Sequence, residues 1–577
     1  MLKKYRELFL VAGLILVALL TKFLSPEVEN VVFHFRDEVK ESQLPISLPM
    51  QDGEPFSVEM DFSTFFNEDF ELVIHPDDCV TGMTVNGISF PFKQYPGYCS
   101  WGTGFVVKKK DIQKILGPDV SKYHMSMSLH NNGGLGGLTL ALESSGIFAR
   151  IMTVVFFGLL AALIFSIGGR LRFDRRLLLI FFLGLLLRAG YTQETFYDQR
   201  GHDTNGHVRY MEIIAQENRI PDSHECWSCY HPPVYYVASA GVWKVCDLVG
   251  VPPYNAMMWF DFAISLLALA FGLFCIKDIS WSAPRYIAAL LWSVWPGFIL
   301  ASPRLGNDIM FYMMHVIALW GCIRYIKANS AKYFILAVVA AFGAYWTKNT
   351  GAITFGLVGV TALIHLIPKF FWKWNKWDLA SLITLVVVGG VVVFRVLFGN
   401  IVGNVGGLDD TVLVRNDPGN FLFFDIRSFI VNPYIDPWHD ELGRQFFWNY
   451  LAKTSLFGEF ELLRTVPGLW LASFISVSFL VLLGFGVYGF AKSAWNKTKV
   501  LLTAQAVFFF AAMIALRLKY PYSCSNDFRY IVPVLLSCLP WVGEGIAGNY
   551  TVAKAKVCGI GAVAVFVVYT SILIVSL

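Results

Sequence analysis

The sequence predicts an α-helical, multi-span membrane protein with about thirteen transmembrane helices, carrying an N-terminal extracytoplasmic β-sandwich. Three observations predict it. Of 577 residues, 55% are hydrophobic and only 15% charged, where a soluble globular chain carries about 25% charge. From residue 147 onward, apolar runs of spanning length alternate with short polar joints, and a bilayer core needs about 20 helical residues to cross. Residues 27–146 are instead polar and alternate with period two, the pattern of half-buried strands. The 50 Phe, 24 Tyr and 17 Trp suit lipid-facing helices and interfacial belts. The net charge is +4 with no long basic run, which argues against nucleic acid as a partner.

The chain opens Met1-Leu2-Lys3-Lys4-Tyr5-Arg6-Glu7, followed by an apolar run from Leu8 to Leu24. No small-x-small cleavage site follows in Thr21 to Pro26, so residues 1–26 read as an uncleaved membrane anchor. In the segment 27–146, Val58, Met60 and Phe62 share one face while Ser57, Glu59 and Asp61 share the other. Tyr123, Met125, Met127 and Leu129 alternate with His124, Ser126, Ser128 and His130, and Leu138, Leu140 and Leu142 repeat the pattern. Asn86-Gly87 between Thr84-Val85 and Ile88-Ser89 is a tight hairpin signal, because a type I′ turn needs positive φ at both positions. The stretch His75 to Gly87 resembles the jelly-roll sugar-binding modules attached to glycosidases.

The remaining spans are expected at 147–168, 177–193, 255–276, 284–301, 309–327, 332–347, 352–369, 379–398, 468–490, 499–516, 528–546 and 557–577. Basic joints fix the sides: Lys3-Lys4, Arg170 to Arg176, Lys277 to Arg285, Arg324 to Lys332, Lys369 to Lys376, Lys492 to Lys499 and Lys554 to Lys556. The positive-inside rule places all of them in the cytoplasm. They fall at every second joint only if residues 232–254, bounded by Pro232-Pro233 and Pro252-Pro253, lie on the membrane instead of crossing it. The membrane domain 147–577 then gathers its large external loops, 194–254 and 399–467, on the opposite face with the β-domain.

The first large loop reads Tyr197-Asp198-Gln199-Arg200-Gly201-His202-Asp203, then His207 and Tyr210, and later Cys226-Trp227-Ser228-Cys229-Tyr230-His231-Pro232-Pro233-Val234-Tyr235-Tyr236. The order Asp-x-x-x-His-x-x-Tyr followed by His-Pro-Pro-x-Tyr-Tyr resembles the first external loop of GT-C glycosyltransferases, in pattern the protein O-mannosyltransferases and the lipid A aminoarabinose transferases. Further matches follow in order. Pro303-Arg304-Leu305-Gly306-Asn307-Asp308 resembles their Asn-Asp joint, and Trp346-Thr347-Lys348-Asn349 their Lys-bearing joint. Lys453 to Phe460, with Glu459, occupies the late loop, and Asp527-Phe528-Arg529-Tyr530-Ile531-Val532-Pro533 resembles an Arg-Tyr-x-x-Pro helix start. The resemblance covers roughly residues 175 to 550. The sequence departs from the O-mannosyltransferase pattern in following Asp203 with Thr204, and the β-domain lies outside the standard core.

The resemblance implies an inverting transferase that moves a sugar from a polyprenyl-phosphate lipid to an acceptor hydroxyl on a glycan, glycolipid or protein. Asp203 is the candidate base for the hydroxyl proton. Lys348, Arg529, Arg304 and Lys453 are candidates for the leaving phosphate, where cations favour the developing charge. Asp198, His202, His207, Tyr210, His231, Asn307, Asp308 and Glu459 are candidates for orienting or binding substrate. The chemistry requires no cofactor, and a divalent cation is compatible with it, since His202 and His207 with Asp203 are usable ligand types. The bland alternatives stay open: Asp203 as a helix cap, Lys348 and Arg529 as side chains snorkelling toward headgroups, and Asp436 to Glu441 as a solvated loop. Cys226 with Cys229, and Cys79 with Cys99, are disulfide candidates on an oxidising side; His224 and His231 make a zinc knuckle the alternative for the first pair. A bacterial inner membrane with the site facing outward is the expected setting, ahead of an endoplasmic reticulum. A glycolipid transporter or scramblase, and a non-catalytic glycan-binding assembly protein, are the competing functions.

Overall fold

A computed structural model describes residues 6–366 and 413–577 apart from short breaks (25–26, 37, 42–43, 45, 52, 64–68, 77, 96, 100–103, 119, 132–134, 171, 198, 281, 436–442 and 464), with isolated positions between 376 and 390. Most of the span expected at 379–398, the start of the loop 399–467, Asp198 and the stretch Asp436 to Glu441 therefore lie outside the described residues. The chain forms two compact units, Met1–Leu178 and Leu179–Leu577.

The first unit opens with helix α1 (Arg6–Leu24) and continues through ten strands: β1 (Glu27–Phe35), β2 (Glu38–Glu41), β3 (Ile46–Pro49), β4 (Pro55–Ser63), β5 (Phe70–Pro76), β6 (Cys79–Val85), β7 (Ile88–Ser89), β8 (Phe105–Lys108), β9 (Lys122–His130) and β10 (Leu135–Ser144). A short helix α2 (Lys109–Leu116) follows β8, and α3 (Ile147–Arg170) follows β10. Two antiparallel sheets result, ordered β2-β1-β4-β9-β6-β7 and β3-β10-β5-β8. The alternation written in the sequence sets their inner faces. Val58, Met60 and Phe62 of β4 and Tyr123, Met125, Met127 and Leu129 of β9 are buried in one core with Leu72 and Ile74 of β5 and Leu138 of β10. Val58 faces Met127 and Met60 faces Met125 across the β4–β9 pair, so like faces meet and the register is fixed by burial. Asn86 and Gly87 have φ of 50° and 77° and turn β6 into β7, with Val85 opposite Ile88. A disulfide joins Cys79 to Cys99. At the base of the unit, α1 packs on α3; the Arg6 Nε donates to the Ser166 hydroxyl at 2.8 Å, and Glu7 pairs with Arg170.

The second unit is helical. It takes in most of α4 (Arg175–Gln193), then α5 (Thr204–Glu217), α6 (Val234–Val249), α7 (Pro253–Ile279), α8 (Ser282–Val294), α9 (Pro296–Leu300), α10 (Asp308–Ala328), α11 (Ala331–Thr347) and α12 (Ala352–Leu366). Later come the helices Phe447–Phe457, Val466–Lys492, Lys497–Lys519, Leu535–Ala547 and Ala553–Val575. Among the described residues, seven helices are long and apolar enough to cross a membrane: α3, α4, α7, α10, Val466–Lys492, Lys497–Lys519 and Ala553–Val575. Three shorter apolar helices accompany them, Ala331–Thr347, Asn349–His365 and Val532–Ala547. This is the make-up of a multi-pass integral membrane protein. The 16-residue helix α6, between its two Pro pairs, is not among these apolar helices.

Two expected spans are interrupted. The run 284–301 breaks at Trp295, where α8 ends and α9 begins at Pro296, because proline has no N–H to give the preceding turn and disfavours helical geometry in the residue before it. The carbonyls freed at such a break need donors inside the protein. The fully buried Arg188 supplies one, donating from Nη1 to the Ser293 carbonyl at 2.7 Å and to the Gly184 carbonyl at 3.0 Å. Likewise the run 528–546 starts as 3₁₀ turns at Phe528–Tyr530 and Val532–Val534, and becomes α-helical only at Leu535.

Glycines set the closest helix crossing. A Cβ on Gly545 would run into the Phe485 carbonyl, and one on Gly489 into the Trp541 carbonyl, the small-residue contact that lets membrane helices approach. Gly545→Val is expected to destabilise the protein by about 1–3 kcal/mol or more, as overpacking does, read as a lowered Tm in detergent; an unchanged Tm would mean that the crossing is looser than this.

Candidate active site

The site collects where chain segments enter and leave helices. α5 begins at Thr204, and Asp203 holds the capping position with a φ of 55°. Left-handed backbone in a non-glycine residue is uncommon, Asp being among the residues that tolerate it best. The Asp203 carboxylate makes no capping hydrogen bond to the helix. Instead its Oδ1 accepts from the Trp227 indole N–H at 3.0 Å, and the side chain is exposed. Trp227 is itself held between Cys226 and Cys229, which form a disulfide. The carboxylate is thus aimed away from the helix that it begins.

Behind Asp203 lies a buried aromatic and imidazole layer. His207, one turn into α5, bonds through Nδ1 to the Tyr236 hydroxyl at 2.7 Å. Tyr210 stacks on Tyr236 with ring centroids 3.9 Å apart, and its hydroxyl donates to the His231 carbonyl at 3.2 Å. The His231 ring lies between His207 and Tyr230. The neighbouring Tyr235 hydroxyl donates to Asp261 at 2.8 Å and accepts from the Gly306 N–H at 3.0 Å, which fastens the 303–308 joint to α6 and α7.

The cations come from three other joints. Lys348, just past α11, pairs with Asp308 at the start of α10 and lies 4.6 Å from the centre of the Tyr530 ring. Asn307 donates to the Thr347 carbonyl at 3.2 Å and locks these two joints together. Arg529 places Nε 3.1 Å from Asp527 Oδ2 and donates to the Tyr530 hydroxyl at 3.0 Å. Tyr312 of α10 donates to the Arg529 carbonyl. Arg304 stands over the Phe460 ring, 5.2 Å from its centre. Lys348 and Arg529 both act electrostatically on His207 together with Asp203 and Asp308, and Tyr230 feels Asp203, Arg529 and Asp308. One neighbourhood therefore holds the acid and these cations. Lys348 is 7% exposed, which is not the disposition of a side chain reaching for headgroups. Lys453 is buried and donates to the Ser428 hydroxyl at 3.0 Å and toward the Tyr434 carbonyl at 3.5 Å.

A second acidic group stands against the same cations. His202 Nδ1 lies 3.4 Å from Glu459 and Nε2 lies 3.6 Å from Asp527, with the imidazole beside Phe460. Tyr450 donates to Glu459. Burial first, then the neighbouring Asp527, pushes the Glu459 carboxyl up to about 7. Burial also raises Asp527, against the pull of Arg529. His202, His207 and Asp203, the ligand types named above as compatible with a cation, do not group together; Tyr236 bonds the Nδ1 of His207 and Trp227 the Oδ1 of Asp203. Among the described residues, the group with metal-ligand spacing is His202, Glu459 and Asp527. Asp527, Trp227, Tyr236 and Asp261 are site residues that sequence reasoning did not single out. The first precedes Arg529 by two positions, and the second separates the paired cysteines.

The chain matches no protein-family model and no curated protein. Similar solved structures are membrane glycosyltransferases of the GT-C superfamily. The oligosaccharyltransferase AglB of Archaeoglobus fulgidus is 12% identical, over 69% of this chain and 55% of its own, at a TM-score of 0.40. ArnT of Cupriavidus metallidurans is 14% identical over 70% and 78%, at 0.31, and the arabinosyltransferase EmbB of Mycobacterium smegmatis 9% over 94% and 53%, at 0.34. The match thus spans about half the length of AglB. AglB has been seen with zinc and sulfate, and with an inhibitory peptide and a dolichol-phosphate. Likenesses this distant carry no argument about this chain, and the case for its activity rests on its own residues.

His207 is buried and His202 and His231 are partly so, and desolvation lowers all three imidazoles, His207 to about 4 and the others well below the ordinary value. A histidine held at about 4 in the fold and near 6.5 when unfolded binds more protons unfolded. Its neutral form lets the fold keep full stability above pH 6.5, and stability falls as pH drops toward 4. His207→Asn should flatten the acid limb of a Tm-against-pH curve between pH 6.5 and 4; an unchanged slope would show that His207 takes no part in it.

Proposed function

We propose that the protein is an inverting glycosyltransferase that moves a sugar from a polyprenyl-phosphate lipid to an acceptor hydroxyl at the extracytoplasmic membrane face, in the modification of a cell-surface glycan or glycolipid. The observation that carries the reading is the placement of an exposed carboxylate, Asp203, freed from helix capping, in the same neighbourhood as the buried Lys348 and the largely buried Arg529. Intramembrane and membrane-edge charges are costly to bury and mark functional sites by default.

In this reading Asp203 takes the proton of the acceptor hydroxyl as its oxygen attacks C1 of the sugar. The bond from C1 to the phosphate oxygen breaks on the opposite face, and the configuration at C1 inverts. Lys348, Arg529 and Arg304 receive the charge that builds on the departing phosphate. Burial holds the Lys348 ammonium below its ordinary pKa, and Asp308 opposes that effect. His207 and Tyr236 orient the loop that bears Asp203, and Trp227 fixes its carboxylate. The lipid-borne donor, already activated by its phosphate, accounts for the placement of the site among helix ends. The two sheets of the first unit would serve as a jelly-roll module for a saccharide acceptor, and the full span count of about thirteen belongs to the same reading.

Purified protein incubated with a panel of polyprenyl-phosphate sugars should consume one of them. Asp203→Asn should lower turnover by about 10²–10⁴-fold and leave donor binding intact, whereas Lys348→Met and Arg529→Met should weaken both. A chain that moves intact glycolipid across vesicles, with Asp203→Asn unaffected, would overturn the transferase reading in favour of a transporter.

A further inference from the structure

We propose that His202, Glu459 and Asp527 form a binding site for one divalent transition-metal ion, of the zinc or manganese type, beside the sugar-transfer site. The three groups come from separate parts of the chain: the loop before α5, the segment after the helix Phe447–Phe457, and the turn at Ser523–Asn526. Their ligand atoms all lie within 4.8 Å of one another. An imidazole gives one ion only one of its nitrogens, here Nε2, whose 3.6 Å to Asp527 is close to what a shared ion imposes, since ligand bonds of about 2.0–2.2 Å at tetrahedral angles put neighbouring donors roughly 3.4 Å apart; Nδ1 lies 3.4 Å from Glu459, whose carboxylate must turn to complete the set. These distances are long for hydrogen bonds.

The bonding around the group is incomplete in the way an ion would complete it. His202 Nε2 and Asp527 Oδ2 are buried with no hydrogen-bond partner, and Asp527 is 1% exposed. A neutral imidazole donates from one nitrogen only, so one of its two contacts sets a lone pair against a carboxylate oxygen. A cation between them converts that repulsion into coordination. The other atoms are already committed: Asp527 Oδ1 accepts from the Arg529 amide at 3.0 Å and Glu459 Oε1 from Tyr450, which orients both carboxylates as supporting bonds do at metal sites. One nitrogen and two carboxylate oxygens suit zinc or manganese better than a soft ion. Two guanidiniums oppose the ion. Arg529 Nε faces Asp527 Oδ2 at 3.1 Å without a hydrogen bond, and Arg304 stands over Phe460. Binding therefore requires Arg529 to give up or share that oxygen, which frees its guanidinium for an anion.

The test uses full-length, tag-free protein in detergent, stripped with chelator and then equilibrated with Zn²⁺ alone or Mn²⁺ alone. Metal content by mass spectrometry, and the Mn²⁺ resonance spectrum, are read without any sugar donor. Wild type should retain one ion per chain. Glu459→Gln and His202→Asn should each weaken binding at least tenfold, with Tm used to confirm that each variant is folded. Asp203→Asn should bind as wild type does, because that carboxylate lies outside the group. Failure of wild type to hold either ion, or wild-type affinity in both Glu459→Gln and His202→Asn, would overturn the proposal and leave a shared proton as the link between the carboxylates. Metal binding by a chain that transfers no sugar would leave this inference standing and remove the transferase reading instead.

Discussion

The buried ion pair between Lys348 and Asp308 is the contact around which the second unit is arranged. Taking an ammonium and a carboxylate out of water is expensive, and the pair persists only if each satisfies the other and neighbouring groups help. Here the help is specific. Asn307 ties the two joints together through the Thr347 carbonyl, the Tyr530 ring lies against the lysine, and Tyr312 holds the Arg529 carbonyl. The ends of α10 and α11 and the turn before Leu535 are thereby brought to one place. Removing either member of the pair would leave an uncompensated charge at the meeting point of three chain segments.

Charge of both signs is packed unusually closely around that pair, and its distribution explains how the site stays assembled. Lys348, Arg529 and Arg304 are faced by Asp308, Asp527 and Glu459, so that the groups restrain one another without help from solvent. Asp203 stands apart from this balance, exposed and bonded only to an indole N–H among the contacts described above.

Much of this was legible in the sequence, for physical reasons that differ from part to part. Period-two alternation around Val58 and Met125 forecast which faces the sheets bury, and Asn86-Gly87 forecast its turn, because burial and positive φ are local demands. Apolar runs marked α3, α7 and α10. The breaks at Pro296 and before Leu535 were hidden, since hydropathy does not register the loss of one N–H. Asp203, Lys348 and Arg529 were readable as polar groups at helix ends. Lys453 looked equivalent to them in sequence, and only tertiary packing turned it toward Ser428. Grouping Asp527 with His202 was beyond reach, as the two lie more than 300 positions apart and nothing local links them.

Trp227 lies between two sulfurs that are bonded to each other, and its indole N–H is the hydrogen bond that steadies the Asp203 carboxylate. The orientation of that carboxylate is therefore coupled to the oxidation state of the Cys226–Cys229 link. A loop opened by reductant would let the indole swing and the acid lose its bearing, so the redox state of the compartment in which the chain matures helps set where that carboxylate points.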